Sequence, residues 1–136
     1  QDKQSKNFHE GVDGFKYLRF PIAYLRFVVT EDTVEKEFKP VWDFIDTNVA
    51  AGESVLIHCL AGAHRAGSTG ISYLMHVADL NMDKATQIAQ RCRPIINPIA
   101  SLGELLHILD AALAAKREKA GHTKTAAAAE ESKHEA

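Results

Sequence analysis

Residues 54–67 read Ser54-Val55-Leu56-Ile57-His58-Cys59-Leu60-Ala61-Gly62-Ala63-His64-Arg65-Ala66-Gly67, and the fold and the chemistry both turn on how this stretch is parsed. Its first part is a short apolar run entered through Gly52, the pattern of a buried, parallel strand. Its second part is built of small residues and leads into a segment of helical period. Such a loop at a strand-to-helix junction turns its backbone N–H groups inward as an anion-binding nest. The helix that follows adds its positive N-terminal end. Arg65 supplies a planar fork of donors suited to a tetrahedral oxyanion. The same field favours the thiolate of Cys59, a nucleophile near neutral pH.

Upstream, Phe15, Tyr17, Phe20, Ile22, Tyr24, Phe27, Val28 and Val29 form an aromatic and β-branched stretch, whose composition predicts extended structure limited by Pro21. Phe38, Val41, Trp42, Ile45 and Val49 then recur at helical spacing and predict a helix over 38–50, with Pro40 in its first turn and Gly52 as its stop. Downstream, Ile71, Leu74, Met75 and Ala78 predict a helix ending near Asn81. Asp83 is the expected N-cap of the next helix, which must finish before Pro94. Ser101 and Glu104 form a capping-box pattern ahead of Leu102, Leu105, Leu106, Leu109 and Leu113. The expected order of elements is therefore strand, helix, strand and three helices. One domain is predicted over 1–119. The Ala-rich residues 120–136 have no apolar face and are expected to be a disordered tail.

Composition narrows the function classes. The chain has 136 residues with 16 Lys+Arg against 18 Asp+Glu, so no global field draws it to nucleic acid or an anionic membrane. The start of the chain is polar and has no signal-peptide core, and no apolar run reaches the length of a membrane span. Two cysteines without a CxxC pairing predict a reduced, cytoplasmic setting, with the nucleus also open. No metal is expected, because His58, Cys59 and His64 lack a second ligand pair at zinc spacing. Gly62 to Thr69 imitates a nucleotide P-loop, but the lysine ahead of the Ser/Thr is missing.

His58-Cys59-x-x-Gly62-x-x-Arg65 resembles the phosphate loop of the cysteine-dependent protein tyrosine phosphatases, and in this short chain looks most like the dual-specificity branch. The likeness runs in order over about residues 15–113. Tyr17-Leu18-Arg19-Phe20-Pro21-Ile22 resembles the strand leading to the family's acid loop, and Arg93-Pro94-Ile95-Ile96-Asn97 its closing segment. The resemblance implies an α/β fold with a central, mostly parallel sheet flanked by helices, and hydrolysis of a phosphomonoester through a phosphocysteine on Cys59, with no cofactor. Arg65 would bind the phosphate together with the loop residues Leu60, Ala61, Gly62, Ala63 and His64. Asp32 would be the general acid, with Glu31 as its neighbouring rival. Asp32 and Glu35 also fit a helix-capping pattern, which competes for the same side chain.

Two departures from the family stand out. Ala66 occupies the position where most members carry Ser or Thr, which implies slower breakdown of the phosphoenzyme. The family's first strands have no counterpart ahead of Tyr17, so an N-terminally incomplete domain is expected. The implied substrate is phosphotyrosine or phosphoserine/threonine on a phosphoprotein. A glucan or other non-protein phosphate, or a pseudophosphatase that only binds phosphoproteins, are the alternatives. The absence of lysine between Cys59 and Arg65 argues against inositol lipids.

Overall fold

The computed structural model describes residues 6–134. The polar start at residues 1–5 and the end of the expected tail at 135–136 lie outside the described residues. Among the described residues five helices form: α1 over Ile22–Leu25, α2 over Val34–Ala50, α3 over Arg65–Val77, α4 over Met82–Cys92 and α5 over Ser101–His134.

Each long helix follows from an apolar face. On α2, Val34, Phe38, Val41, Trp42 and Ile45 are all buried, and their three- and four-residue spacing puts them on one stripe. Because Val34 belongs to that stripe, α2 starts four residues before the expected Phe38, and Pro40 falls in its interior. Lys36 and Pro40 are both on the exposed side, where the carbonyl that Pro40 cannot serve is open to solvent rather than stranded in the core. The helix closes as a Schellman motif, with Gly52 N–H bonding Val49 O at 3.0 Å and Glu53 N–H bonding Asn48 O at 2.9 Å. Helix α4 is capped by Asn81, whose side chain accepts from Lys84 N–H at 2.9 Å. Asp83, the expected cap, lies inside its first turn.

Leu102, Leu105, Leu106, Leu109 and Leu113 of α5 join the same core as α2, together with Ile22 and Leu25 of α1 and Ile71 and Met75 of α3. Trp42 Nε1 donates to Ser72 Oγ at 3.2 Å, tying α2 to α3 inside that core. Glu104 does not complete a capping box; it pairs with Arg26 at 2.7 Å. Beyond Arg117, α5 continues with every described position exposed. No helix among the described residues is long and apolar enough to cross a membrane.

The α/β expectation is corrected here: among the described residues there is no strand, and the architecture is helical. Residues 54–58 keep the alternation of a strand. Val55 and Ile57 pack on the core, while Leu56 is 83% exposed. What they lack is a partner, for no backbone–backbone hydrogen bond involves 54–58 among the described residues. A strand exists only as a pairing, because its N–H and C=O groups must be met by a neighbour. The aromatic stretch is likewise divided: 15–21 is irregular, and Ile22 and Leu25 are drawn into the core by the single turn of α1. Apolar composition is present in both segments, but composition does not supply the ladder.

Candidate active site

The loop that follows residues 54–58 brings its own backbone onto one sulfur. Gly62 N–H donates to Cys59 Sγ at 3.2 Å. Burial pushes the Cys59 thiol up, but the N–H groups of Ala66, Gly62 and Ala61, together with the Arg65 charge, outweigh it and bring the thiol below its ordinary value of 9.0. A group whose anion is stabilised in this way is a thiolate over a wider pH range than an ordinary cysteine. Arg65 opens α3, so its charge and the helix N-terminus act on the same side of the loop.

The loop takes this shape for reasons visible at two glycines. Gly62 has φ +69°, a backbone conformation that favours glycine, and a Cβ there would stand 3.1 Å from Arg93 Nη2, so the arginine would have to shift. At Gly67 a Cβ would meet Ile96 Cγ2 at 2.8 Å, which lets α3 seat directly on the 93–97 segment. That segment also holds the loop by hydrogen bonds. Arg93 Nε donates to Gly62 O at 3.3 Å, and Asn97 N–H donates to Ala63 O at 3.0 Å. His64 Nδ1 lies 2.6 Å from Asn97 O. Engaging the carbonyls of Gly62 and Ala63 fixes the loop between Cys59 and Arg65 against the 93–97 segment.

A depression of about 480 Å³ opens around Cys59, bordered by His58, Leu60, Gly62, Ala66, Arg93 and Ile96. Its rim is apolar on one side, where Leu60 is 92% exposed. Of the expected phosphate-binding positions, Leu60, Ala61 and Gly62 border it. Ala63 is buried, and His64 is turned to Asn97.

Asp32 is not on this border. It is exposed in the turn before α2. The capping position belongs to Thr33, whose Oγ1 accepts from Thr30 N–H at 2.9 Å, so α2 makes no claim on the Asp32 carboxylate. Among the described residues, no group of three or more His, Cys, Asp and Glu side chains is placed to hold a metal ion.

Arg93, Ile96 and Asn97 are the contributors that reading the loop alone does not find. Their signals are a helix forced to end before Pro94 and a glycine, Gly67, inside a helical pattern. An interior glycine marks a close approach, but not what approaches.

The family model of the dual specificity phosphatase catalytic domain matches residues 2–109. Dual specificity protein phosphatase 16 from Homo sapiens is 40% identical over 65 residues, covering 47% of this chain and 10% of the relative. Dual specificity protein phosphatase 22 from Mus musculus is 33% identical over 87 residues, covering 64% of this chain and 45% of the relative. Dual specificity protein phosphatase 1 from Arabidopsis thaliana is 34% identical over 92 residues, 67% of this chain and 46% of the relative. The chain spans less than half the length of each of these relatives.

Proposed function

The chain belongs to the dual specificity phosphatase family, and from that premise we propose that it dephosphorylates phosphotyrosine and phosphoserine/threonine on proteins through a phosphocysteine at Cys59. The observation that carries this reading is the convergence of the Ala61, Gly62 and Ala66 N–H groups and the Arg65 charge on the Cys59 sulfur. Groups that stabilise a thiolate there are equally suited to the non-bridging oxygens of a phosphoryl group.

In the first step Cys59 Sγ donates its electron pair to phosphorus, and the P–O bond to the leaving alcohol or phenol breaks. The leaving oxygen takes a proton, a role we assign to Asp32. Arg65 and the loop N–H groups hold the three equatorial oxygens through the transfer. Water then attacks the phosphocysteine, giving its proton to the Asp32 carboxylate and releasing inorganic phosphate and the thiolate. No step draws on a cofactor.

Ala66 leaves the departing thiolate without a neighbouring hydroxyl in the second step. The next hydroxyls along α3 do not replace it: Ser68 Oγ donates to His64 O at 2.6 Å and Thr69 Oγ1 to Arg65 O at 3.0 Å. Breakdown of the phosphoenzyme is then the slower step. The two free thiols suit a reducing compartment, and we place the protein in the cytoplasm.

The test is p-nitrophenyl phosphate hydrolysis in EDTA. The wild type turns over after a burst of p-nitrophenol, and Cys59→Ser loses activity by about 10⁴-fold or more. A wild type that is inert toward this substrate yet binds phosphopeptides would reduce the reading to a phosphoprotein-binding domain.

A further inference from the structure

His64 stands directly before Arg65, and its side chain reaches away from Cys59 to a different part of the chain. Its Nδ1 lies 2.6 Å from the carbonyl oxygen of Asn97. A carbonyl can only accept, so Nδ1 carries the proton in both the neutral and the charged imidazole. The same residue, Asn97, gives its N–H to Ala63 O at 3.0 Å. Asn97 is therefore grasped at both backbone groups by consecutive loop residues, one through backbone and one through the His64 ring. The ring does not serve α3 itself, since that helix begins with no side-chain cap from His64, and the His64 carbonyl accepts from Ser68 Oγ.

We propose that His64 is a positioning residue, whose imidazole docks the loop on Asn97 and thereby keeps the Ala61, Gly62 and Ala66 N–H groups aimed at the Cys59 sulfur. The proposal rests on the phosphatase reading only in taking Cys59 as the reacting group. Without the His64 donor, the Asn97 carbonyl loses its partner and the loop keeps a single hydrogen bond to residue 97. The loop residues between Cys59 and Arg65 are then less constrained, and N–H groups that must converge on one atom do so for a smaller share of the time.

An isosteric pair of variants isolates the bond from the ring. The amide nitrogen of asparagine sits where Nδ1 does, whereas that of glutamine reaches to the position of Nε2. The measurement is the rate of Cys59 alkylation by iodoacetamide against pH, read by intact mass in a Cys92→Ser background so that one thiol reacts. The other charged or titratable groups around the sulfur are Arg65 on α3, Arg93 in the 93–97 segment and His58 ahead of the loop, and all of them are retained.

We expect His64→Ala to slow alkylation at about pH 6.5 by about tenfold, with its midpoint moved toward that of an ordinary thiol. His64→Asn should stay within about twofold of the parent, and His64→Gln should behave like alanine. Should His64→Ala fail to fold by circular dichroism, the asparagine and glutamine variants decide alone. Equal rates in those two, or an alanine variant as reactive as the parent, overturn the role of His64 while leaving Cys59 chemistry intact. A parent whose Cys59 reacts only as an ordinary thiol overturns both this role and the activity it rests on.

Discussion

The loop at 59–67 and the turn at 30–33 carry the two halves of one proposed reaction, yet they are built on opposite plans. The loop is contiguous in sequence and braced from outside. Its nucleophile, its anion-binding N–H groups and its arginine follow one another along the chain, and Arg93, Ile96 and Asn97 lock them. The turn is held by a local bond between Thr30 N–H and Thr33 Oγ1, and its Asp32 carboxylate is exposed. Chemistry packed into adjacent residues is preorganised by short-range geometry. Chemistry shared with a distant turn depends on how that turn is carried to the substrate. In the proposed reaction the loop binds and attacks, and the turn delivers a proton.

Substitutions at the two regions should therefore fail in different ways. The largest effect expected is at Arg65. Arg65→Lys keeps the charge but loses the planar fork, and should lower kcat/KM by about 10²–10³-fold for every phosphomonoester, whatever its leaving group. Equal activity of the lysine variant would show that a point charge suffices. Asp32→Ala should cost about 10²-fold with phosphotyrosine peptides and much less with p-nitrophenyl phosphate, whose leaving phenolate needs little help from an acid. An unchanged rate on the peptides would move the acid role to Glu31 or elsewhere, and the contrast between loop and turn would dissolve.

Smaller effects probe the bracing. Gly67→Ala drives a Cβ to 2.8 Å from Ile96 and should destabilise the fold by about 1–3 kcal/mol, measured as a lower urea midpoint. The same variant should react more slowly at Cys59, because the displaced segment carries Asn97. Thr33→Ala removes the hydroxyl that closes the 30–33 turn and should cost only about 0.5–1 kcal/mol. Its activity should fall for poor leaving groups alone. If both variants lower activity toward all substrates alike, the two regions act as one unit.

The acid-side behaviour of the rate separates the regions again. The Cys59 pKa is depressed, so the thiolate persists to lower pH than in an ordinary cysteine, and activity falls only as pH drops through that lowered value. Loss of loop bracing raises the Cys59 pKa and moves this limb upward. Loss of the turn leaves it in place.

How much of this is readable from the chain divides along the same line. The spacing from Cys59 to Arg65 and the glycine at 62 are legible because a nest needs only consecutive residues of suitable size. The positions of α2, α3 and α5 are legible from apolar spacing and that of α4 from its flanking Asp83 and Pro94, since each helix satisfies its own backbone internally. Their exact starts are less so: Val34 extends α2 past the expected boundary, and Asn81 takes the cap from Asp83. The expected sheet does not form. Val55 and Ile57 do face the core as a strand would, but Leu56 shows that an apolar alternation says nothing of whether a neighbour lies alongside.

By itself, then, the amino-acid sequence determined where the proposed nucleophile and oxyanion contacts lie along the chain, and which faces of the helices are buried. Both follow from interactions closed within a few residues. Only the tertiary structure decided that 54–58 stands unpaired and that Asn97 and Arg93 hold the loop from the far side of α4. That bracing rests on contacts between residues some 30 positions apart. Such contacts depend on where whole helices come to lie, and no local pattern of the chain encodes that.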